Sequence, residues 1–302
     1  MNDRLGGITS SLDGGNIRYY GSNPSNYIYF NCSDYSNQTS NNCELWRIIG
    51  VFDGKIKLIR NESIGKYSWD TSASSVNSGY GINEWNQADL MKLLNPGHES
   101  ESVGGSLYYN SRSGTCYNSN NNATKSCNFT STGIKNDTTR NMIAETTWNL
   151  GGWNSSDIFS NEMYEKERGT TTVSNPRDGI TRATTWTGKI ALPYPSDYGY
   201  ATDLSKCSQT LFNYGSSTDA YACRSNDWMY SIITNSGRKY GWLLTPYSGN
   251  AYSAFNVYSD GYVGSNYYVS NAHWVAPVLY LGSDQDIVAG DGSQSNPYQL
   301  AA

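Results

Sequence analysis

Short runs of apolar and aromatic residues, separated by polar turns, recur along the whole chain. The clearest of them predict a β-hairpin, because Asp53-Gly54 separates two β-rich runs, LWRIIGVF and KIKLIR. Asp260-Gly261 interrupts AFNVYSDGYVG in the same way and predicts a second hairpin. Further strands are predicted by the runs NIRYYG, NYIYFN, TTWTGKIALPY, YGWLLTPY and VAPVLYLG.

Helical signals are confined to three segments. NEWNQADLMKLLNPG predicts a helix that begins after Asn83 as N-cap and ends at Pro96-Gly97. NDTTRNMIAETTWNLGG predicts a second helix that stops at Gly151-Gly152. SNEMYEKERG predicts a short third helix, in which the paired carboxylates Glu165 and Glu167 are expected on a solvated face.

These elements, with long Asn-, Ser- and Gly-rich loops between them, predict an α+β fold rich in strands and poor in helices. No Pro-rich or charged linker divides the chain. We therefore expect a flexible N-terminal segment, residues 1–16, and a single domain, residues 17–302.

Composition narrows the classes of partner. Charged residues make up 16% of the 302 residues, and the net charge is −5 without a notable Lys/Arg cluster. This balance argues against nucleic acid and anionic membranes as partners. No apolar run is long enough to span a bilayer, and the polar start MNDRLGG does not resemble a signal peptide. We expect an export or anchor segment to be missing from this sequence.

The six cysteines fall into three neighbouring pairs that bracket polar loops. The short separations favour the disulfides Cys32–Cys43, Cys116–Cys127 and Cys207–Cys223, and therefore an oxidising compartment. Six free buried thiols are the alternative. The spacing lacks CxxC pairs and a nearby histidine, so a zinc site is not expected.

One stretch, residues 247–274, has an unusual composition for a segment between two core strands. Its 28 residues include six Tyr, five Ser and four Asn. Strand alternation assigns Phe255 and Val257 to the core, and Asn256 and Tyr258 to the opposite face. The residues predicted to contact a ligand are Tyr247, Asn250, Tyr252, Tyr258, Tyr262, Asn266, Tyr267, Tyr268, Asn271, His273 and Trp274. Tyr, Ser, Asn and Gly also dominate antibody combining loops.

The pattern WLLTPYSGNAYSAFNVYSDGYVG…VAPVLYL resembles the end of C-type lectin-fold domains of the formylglycine-generating-enzyme-like branch. The runs LWRIIGVFDGKIKLIRNESIGKYSWD, ADLMKLLNPG and LPYPSDYGYAT are also similar to surface proteins of gut Firmicutes that carry this domain. The resemblance covers roughly residues 17–290. It implies a C-type lectin-like fold with long loops and insertions.

The same C-terminal segment varies in the target proteins of diversity-generating retroelements, which are found in such bacteria and their phages. In that family, mutagenesis of template adenines turns Asn codons into codons for Tyr, Ser, Asp, His, Phe, Ala, Val or Gly. The resemblance therefore implies a variable, ligand-facing segment at about residues 247–276, with its backbone held by surrounding structure. Trp274-Val275-Ala276-Pro277 departs from the family's Gly-Val-Arg-Pro, and Trp is not reachable from such an Asn codon.

Candidate catalytic and metal-binding residues are few. The formylglycine-generating relatives use a reactive cysteine pair near the C-terminal end, whereas no cysteine follows Cys223 here. His98 follows a predicted helix end, where capping is its expected role. Asp291 in GDGSQSNPY is a candidate calcium ligand, but a solvated turn is the preferred interpretation. No cofactor and no enzymatic activity are predicted.

Three hypotheses follow. The first is an extracellular or surface-displayed domain whose C-terminal face binds a protein on another cell or phage. The second is a carbohydrate-binding adhesin of the same fold, and the third is a degenerate enzyme of the formylglycine-generating type.

Overall fold

A computed structural model describes residues 16–72, 79–119, 122–174, 178–215, 218–237 and 239–301, with the backbone alone for residues 218–220. The predicted flexible segment, residues 1–16, therefore lies almost entirely outside the described residues. Within them the chain is α+β, strand-rich with short helices.

The first sheet has six antiparallel strands in the order β1-β3-β4-β15-β10, with β2 pairing on β3 beside β1. Its centre is the predicted Asp53-Gly54 hairpin, in which both turn residues have positive φ, as expected for such a turn. The strands are β1 (Ile17–Arg18), β2 (Tyr27–Phe30), β3 (Glu44–Phe52), β4 (Lys55–Arg60), β10 (Ile190–Ala191) and β15 (Val278–Tyr280).

The second sheet has five strands in the order β13-β12-β11-β14-β5 and contains most of the Tyr-rich stretch. All its pairs are antiparallel except β11 with β14. The predicted second hairpin is confirmed, with Gly261 at φ +103° in its turn. The strands are β5 (Lys66–Ser68), β11 (Gly241–Pro246), β12 (Ser253–Val257), β13 (Val263–Tyr268) and β14 (Ala272–Trp274).

Three two-stranded ribbons complete the strands. The segment between Cys116 and Cys127, which was predicted to be a polar loop, lies mostly in the two strands of one of these ribbons, and the disulfide joins these strands. The ribbons are β6 (Ser113–Ser119) with β7 (Ala123–Asn128), β8 (Thr146–Asn149) with β9 (Thr185–Gly188), and β16 (Ile287–Ala289) with β17 (Gln299–Leu300).

The described helices are short. They are α1 (Asp89–Leu94), α2 (Asp137–Met142), α3 (Ser160–Glu167), α4 (Pro195–Ala201), α5 (Thr218–Ser225) and α6 (Tyr230–Ile233), with 3-10 turns at Trp85–Gln87 and Leu211–Tyr214. None of the helices in the described part of the chain is long and apolar enough to cross a membrane.

Two helix predictions need correction. The first predicted helix is split, because Ala88 is extended (ψ 138°) between the 3-10 turn and α1, and the turn is capped by Glu84 rather than Asn83. The second ends at Met142. Its C-terminal half becomes β8, because Thr146, Thr147 and Trp148 are β-branched or aromatic residues that pair with β9.

The third predicted helix is confirmed as α3, but one of its surface assignments is wrong. Glu165 is exposed, whereas Glu167 is fully buried. The Glu167 carboxylate accepts hydrogen bonds from the Ser196 backbone N–H (2.8 Å) and hydroxyl (2.5 Å). It therefore satisfies donors in the first turn of α4, the end of a helix that favours negative charge.

The three predicted disulfides, Cys32–Cys43, Cys116–Cys127 and Cys207–Cys223, are confirmed, and no free cysteine occurs in the described ranges. They indicate an oxidising environment. Most buried apolar side chains belong to one core cluster, which includes residues of both large sheets.

Candidate ligand-binding surface

The β12–β13 hairpin gives the Tyr-rich stretch its rigid frame. Phe255, Val257 and Val263 are fully buried on the core side, as strand alternation predicted. Ala254 and Asn256, on the opposite side of β12, are also fully buried. Strand β12 is therefore covered on both faces, whereas the second half of β13 is partly accessible.

The loop before the hairpin is held by residues from outside the stretch. The buried Asn83 amide nitrogen lies within hydrogen-bond distance of three carbonyl oxygens, those of Tyr247 (2.9 Å), Asn250 (2.9 Å) and Ser253 (2.8 Å). Arg182 donates to the Ala251 carbonyl (2.7 Å) and to the Asn83 Oδ1 (3.1 Å). Because these bonds reach only backbone atoms of residues 247–253, they fix the loop independently of its side chains.

Arg182 is itself held by Asp178. The guanidinium donates to both carboxylate oxygens at 2.7 Å, in the bidentate geometry typical of strong Arg–carboxylate pairs. The Arg182 side chain holds the pKa of Asp178 below its usual value, although partial burial of the carboxylate opposes this.

Three tyrosine rings form the first of two aromatic groups, here called the Tyr80 cluster. It consists of Tyr80, Tyr252 and Tyr268. Tyr80 stacks on Tyr268 with a centroid distance of 4.3 Å, and Tyr252 contacts both rings at 5.7 and 5.5 Å. Tyr80 and Tyr268 are 39% and 38% exposed, which makes them the most accessible rings of the two groups.

The second group, here called the Tyr258 cluster, consists of Tyr240, Tyr258, Tyr262 and Tyr267. Tyr258 stacks on Tyr262 at 3.9 Å and contacts Tyr240 and Tyr267 at 4.5 and 5.3 Å. The rings are half-buried. The exposed Phe212 extends the group through an edge contact with Tyr262 at 5.7 Å.

The two clusters do not form one surface through ring contacts. Tyr267 and Tyr268 are successive strand residues and therefore project to opposite faces of β13. Among the described residues, no ring contact joins a member of one cluster to a member of the other.

Three phenol groups of the Tyr258 cluster, those of Tyr258, Tyr262 and Tyr267, are uncharged at neutral pH. Burial, as the main cause, raises the pKa of Tyr258 and Tyr262, and it raises the pKa of Tyr267 to about 12. A neutral phenol both donates and accepts a hydrogen bond, while its ring offers apolar contact area. These three tyrosines therefore present adaptable, uncharged contacts.

A buried polar layer lies beside the Tyr258 cluster. His273 contacts Tyr240, Tyr267 and the buried Trp242, with ring centroids 5.3, 4.9 and 4.3 Å away. Burial lowers the pKa of His273 to about 3, so the imidazole is neutral. His273 Nε2 and both side-chain polar atoms of Asn256 have no hydrogen-bond partner among the described residues.

The predicted ligand-contacting residues thus differ in accessibility. Asn266 and Tyr268 are exposed, and His273 is buried. The half-buried ones are Tyr247, Asn250, Tyr252, Tyr258, Tyr262, Tyr267, Asn271 and Trp274. Asn250 also shapes its loop, because its side-chain oxygen accepts from the Tyr252 N–H (3.0 Å).

Trp274 and Ala276 lie at the C-terminal edge of the stretch. Trp274 pairs with Gly241 and Lys66, and the Lys66 ammonium lies 4.9 Å from its ring centroid. This contact occupies part of the indole face. Ala276 is 2% exposed and belongs to the core, where its small side chain is enclosed.

Tyr80, Tyr240 and Phe212 were missed by the sequence reasoning, because all three lie outside the Tyr-rich stretch. Tyr240 is the first residue of the predicted strand run YGWLLTPY, but it was not assigned to the ligand-contacting set. Tyr80 lies far away in sequence, and its position depends on Gly81 (φ +83°), where an added Cβ would come within 2.3 Å of the Asp70 carbonyl oxygen.

The other candidate sites show ordinary structural roles. Asp291 Oδ1 accepts from the Ser293 N–H (2.9 Å), which makes it part of a local turn. His98 donates its backbone N–H to Ser106 Oγ (3.1 Å) just after α1. In the described ranges no three His, Cys, Asp or Glu side chains are grouped so that they could hold a metal ion. No protein-family model, curated protein or solved structure matches this chain.

Proposed function

We propose that this protein is an extracellular or surface-displayed binding domain that recognises a protein ligand through its tyrosine clusters. The observation that carries the proposal is that accessible tyrosine rings accompany a loop whose backbone is held by residues from elsewhere in the chain. Asn83 and Arg182 hold residues 247–253 through main-chain atoms alone, so the side chains of this loop can change without loss of those bonds.

The chemistry of the surface suits a protein partner. Tyrosine supplies large, rigid contact area at low cost in conformational entropy, and it is enriched among the residues that dominate binding energy. The phenols of Tyr258, Tyr262 and Tyr267 are neutral, so their contacts do not depend on an oppositely charged partner. The hypothesis of a formylglycine-generating type of enzyme is the least favoured, because that activity uses reactive cysteines and every cysteine in the described residues is in a disulfide.

We further propose a C-type lectin-like fold with a diversified segment at about residues 247–276. One observation supports this fold. After the polar hairpin of the second sheet, the chain returns to the first sheet, where β15 pairs with β4, and the resemblance likewise implies a polar hairpin followed by a core strand. Sequencing of related gene copies tests the diversification. We expect substitutions to concentrate in residues 247–276 and to spare Asn83 and Arg182; an even spread of substitutions would contradict it.

Binding is tested with whole bacterial cells and whole phage particles immobilised as probes. We expect adhesion of the protein to fall at least tenfold for Tyr268→Ala or Tyr258→Ala on one such probe. Tyr221→Ala is the matched control, because Tyr221 is 66% exposed on α5, outside both clusters. The proposal would be contradicted if Tyr268→Ala and Tyr258→Ala adhered as strongly as the wild type and the Tyr221→Ala control.

The same experiment separates a protein ligand from a glycan. Protease treatment of the probe should abolish adhesion if the ligand is a protein. The alternative function, a carbohydrate-binding adhesin, is favoured by one observation, the accessible Tyr80–Tyr268 stack that offers a flat apolar face. Adhesion that survives protease, together with binding on a glycan array that Tyr268→Ala removes, would support this alternative.

A further inference from the structure

A buried lysine and a buried aspartate meet between the first sheet and α4. Lys57 lies in β4 and Asp197 in α4, and the Lys57 Nζ is 2.5 Å from the Asp197 Oδ2. Their side chains are only 1% and 2% exposed. Two opposite charges are therefore held in direct contact away from water, where charged groups are costly to maintain.

Aromatic rings enclose the Lys57 ammonium on several sides. The ring centroids of Tyr194, Phe52, Tyr280 and Trp148 lie 4.5, 5.2, 5.4 and 5.5 Å from Nζ. An ammonium carries three N–H donors, and Asp197 is the one hydrogen-bond acceptor recorded for Lys57 among the described residues. The remaining donors therefore meet aromatic surface rather than oxygen atoms.

The Asp197 carboxylate is fixed in this position. The Tyr194 backbone N–H donates to the same Oδ2 at 2.9 Å. The neighbouring Ser196 is held through its backbone N–H and its hydroxyl by the buried Glu167. The two reacting groups would thus be presented to each other in one orientation, the condition under which intramolecular reactions reach very high effective concentrations.

The surroundings favour the neutral form of Lys57. Burial lowers the pKa of Lys57 to about 8, although the charge of Asp197 opposes the shift, and the nearby Arg168 and Arg18 lower it further. Proton transfer from the ammonium to the carboxylate across their contact produces an amine and a carboxylic acid without any outside reagent.

We propose that Lys57 and Asp197 form an intramolecular amide bond, an isopeptide cross-link. The Nζ lone pair attacks Cγ of the protonated Asp197 carboxyl group and forms the C–N bond. The bond from Cγ to one carboxyl oxygen then breaks, and this oxygen leaves as water with one proton from Nζ and the carboxyl proton. No oxidant or co-reactant is needed, and two buried charges are replaced by one neutral amide.

The proposed bond differs from the disulfides because it links residues that are far apart in sequence. It would join residues 140 positions apart and tie the first sheet to α4, whereas the disulfides close separations of 11, 11 and 16 residues. An amide also survives reducing conditions. A domain that binds another cell or phage under mechanical load would benefit from such a cross-link, although the inference itself does not rest on the proposed function.

Intact mass spectrometry of the full chain, reduced and denatured, is the decisive test. We expect the mass to be lower than the sequence requires by one water molecule. A tryptic digest should contain one branched species that joins the peptides of Lys57 and Asp197, with no cleavage after Lys57. A reduced wild-type protein at the full sequence mass would overturn the proposal, and so would a water loss that maps elsewhere.

Two variants sharpen the result. Lys57→Arg keeps the positive charge but cannot form the bond, so it should have the full sequence mass. Asp197→Asn should reach the same final mass as the cross-linked wild type, because ammonia leaves in place of water. A water loss that persists in Lys57→Arg would contradict the assignment. Since the wild-type mass carries the decision, a variant that fails to fold does not weaken the test.

Discussion

At the scale of single residues, two glycines decide where the tyrosine rings can lie. Gly81 allows the segment that carries Tyr80 to pass close to Val269, because a Cβ there would lie 2.5 Å from the Val269 Cγ2. Gly264 leaves room for the Tyr258 ring, since an added Cβ would lie 2.1 Å from its Cε2. Neither requirement is visible in the composition of the tyrosine stretch itself.

Gly264→Ala should disturb the Tyr258 cluster without unfolding the protein. The added methyl group meets the outer part of a half-exposed ring, which can move, and Ala is the better strand residue by about 0.5–1 kcal/mol. We expect a change in the near-UV circular dichroism of tyrosine and a stability change below about 1 kcal/mol. Gly169→Ala is the control, because its Cβ would have no contact shorter than 3.3 Å. An unchanged near-UV spectrum for Gly264→Ala would contradict the geometry.

At the scale of elements, the important contact is the one between residue 83 and the loop before β12. The sequence pattern assigned Asn83 to a helix N-cap, but in the structure Glu84 caps that turn. The Asn83 amide is turned instead toward the loop and reaches three of its carbonyl groups. A short polar side chain can bond to backbone groups of a helix end or of a loop. The packing of the two segments against each other decides which of them Asn83 contacts.

Asn83→Ala should release the loop formed by residues 247–253. The variant leaves buried carbonyl groups without their donor, so we expect a loss of about 2–3 kcal/mol in the free energy of unfolding. Faster amide hydrogen exchange should appear at residues 251–253. Asn86→Ala is the matched control, because Asn86 is exposed in the neighbouring 3-10 turn. If both variants unfold at the same urea concentration, the loop does not depend on Asn83.

At the scale of the whole molecule, the protein buries several carboxyl groups. Burial raises the pKa of Asp227 to about 8, and burial is also the main cause that raises the pKa of Asp70 and Glu167 to about 7 each. Asp227 accepts hydrogen bonds from the Thr202 hydroxyl (2.9 Å) and the Met229 N–H (2.8 Å). In each case the folded-state pKa lies above the unfolded value of about 4.

The sign of the pH dependence follows from these shifts. A folded pKa above the unfolded one means that the native state binds a proton that the unfolded chain has released. The stabilisation is complete below about pH 4 and is lost as the pH rises toward the folded pKa. His273 acts in the opposite direction, but only between its folded pKa of about 3 and its unfolded value of 6.5. Lys57, whose folded pKa of about 8 lies below its unfolded value of 10.5, also acts in that direction, but mainly above pH 8. The interval from pH 6.5 to 8 therefore reports mainly the carboxyl groups.

We expect the stability of the wild type to fall between pH 6.5 and pH 8. Asp227→Asn should remove up to about 1.4 kcal/mol per pH unit of this decline, the limiting slope for one proton, with the effect smaller as the pH approaches 8. Urea unfolding at fixed pH values, with the disulfides intact, measures the slope. Asp286→Asn, at an exposed carboxylate, should leave the slope unchanged. Parallel curves for the wild type and Asp227→Asn would show that Asp227 is not protonated in the native state.

The sequence by itself determined the features that depend on neighbouring residues. The two Asp-Gly hairpins, helix α3, the strand-rich α+β class and the three disulfides all follow from local turn chemistry, side-chain alternation and short cysteine separations. Local patterns were least informative where one predicted element contains two observed ones. The predicted second helix, for example, is a helix only to Met142 and continues as strand β8.

Only the tertiary structure decided which distant residues meet. Tyr80 joins Tyr268, Asn83 holds the loop of residues 247–253, and Lys57 contacts Asp197. It also placed His273 in the core, and it divided the tyrosines between two faces of one hairpin. The physical reason is that burial and long-range contact depend on how both sheets pack, and the free energy of a buried charge or ring is set by its enclosure rather than by its neighbours in sequence.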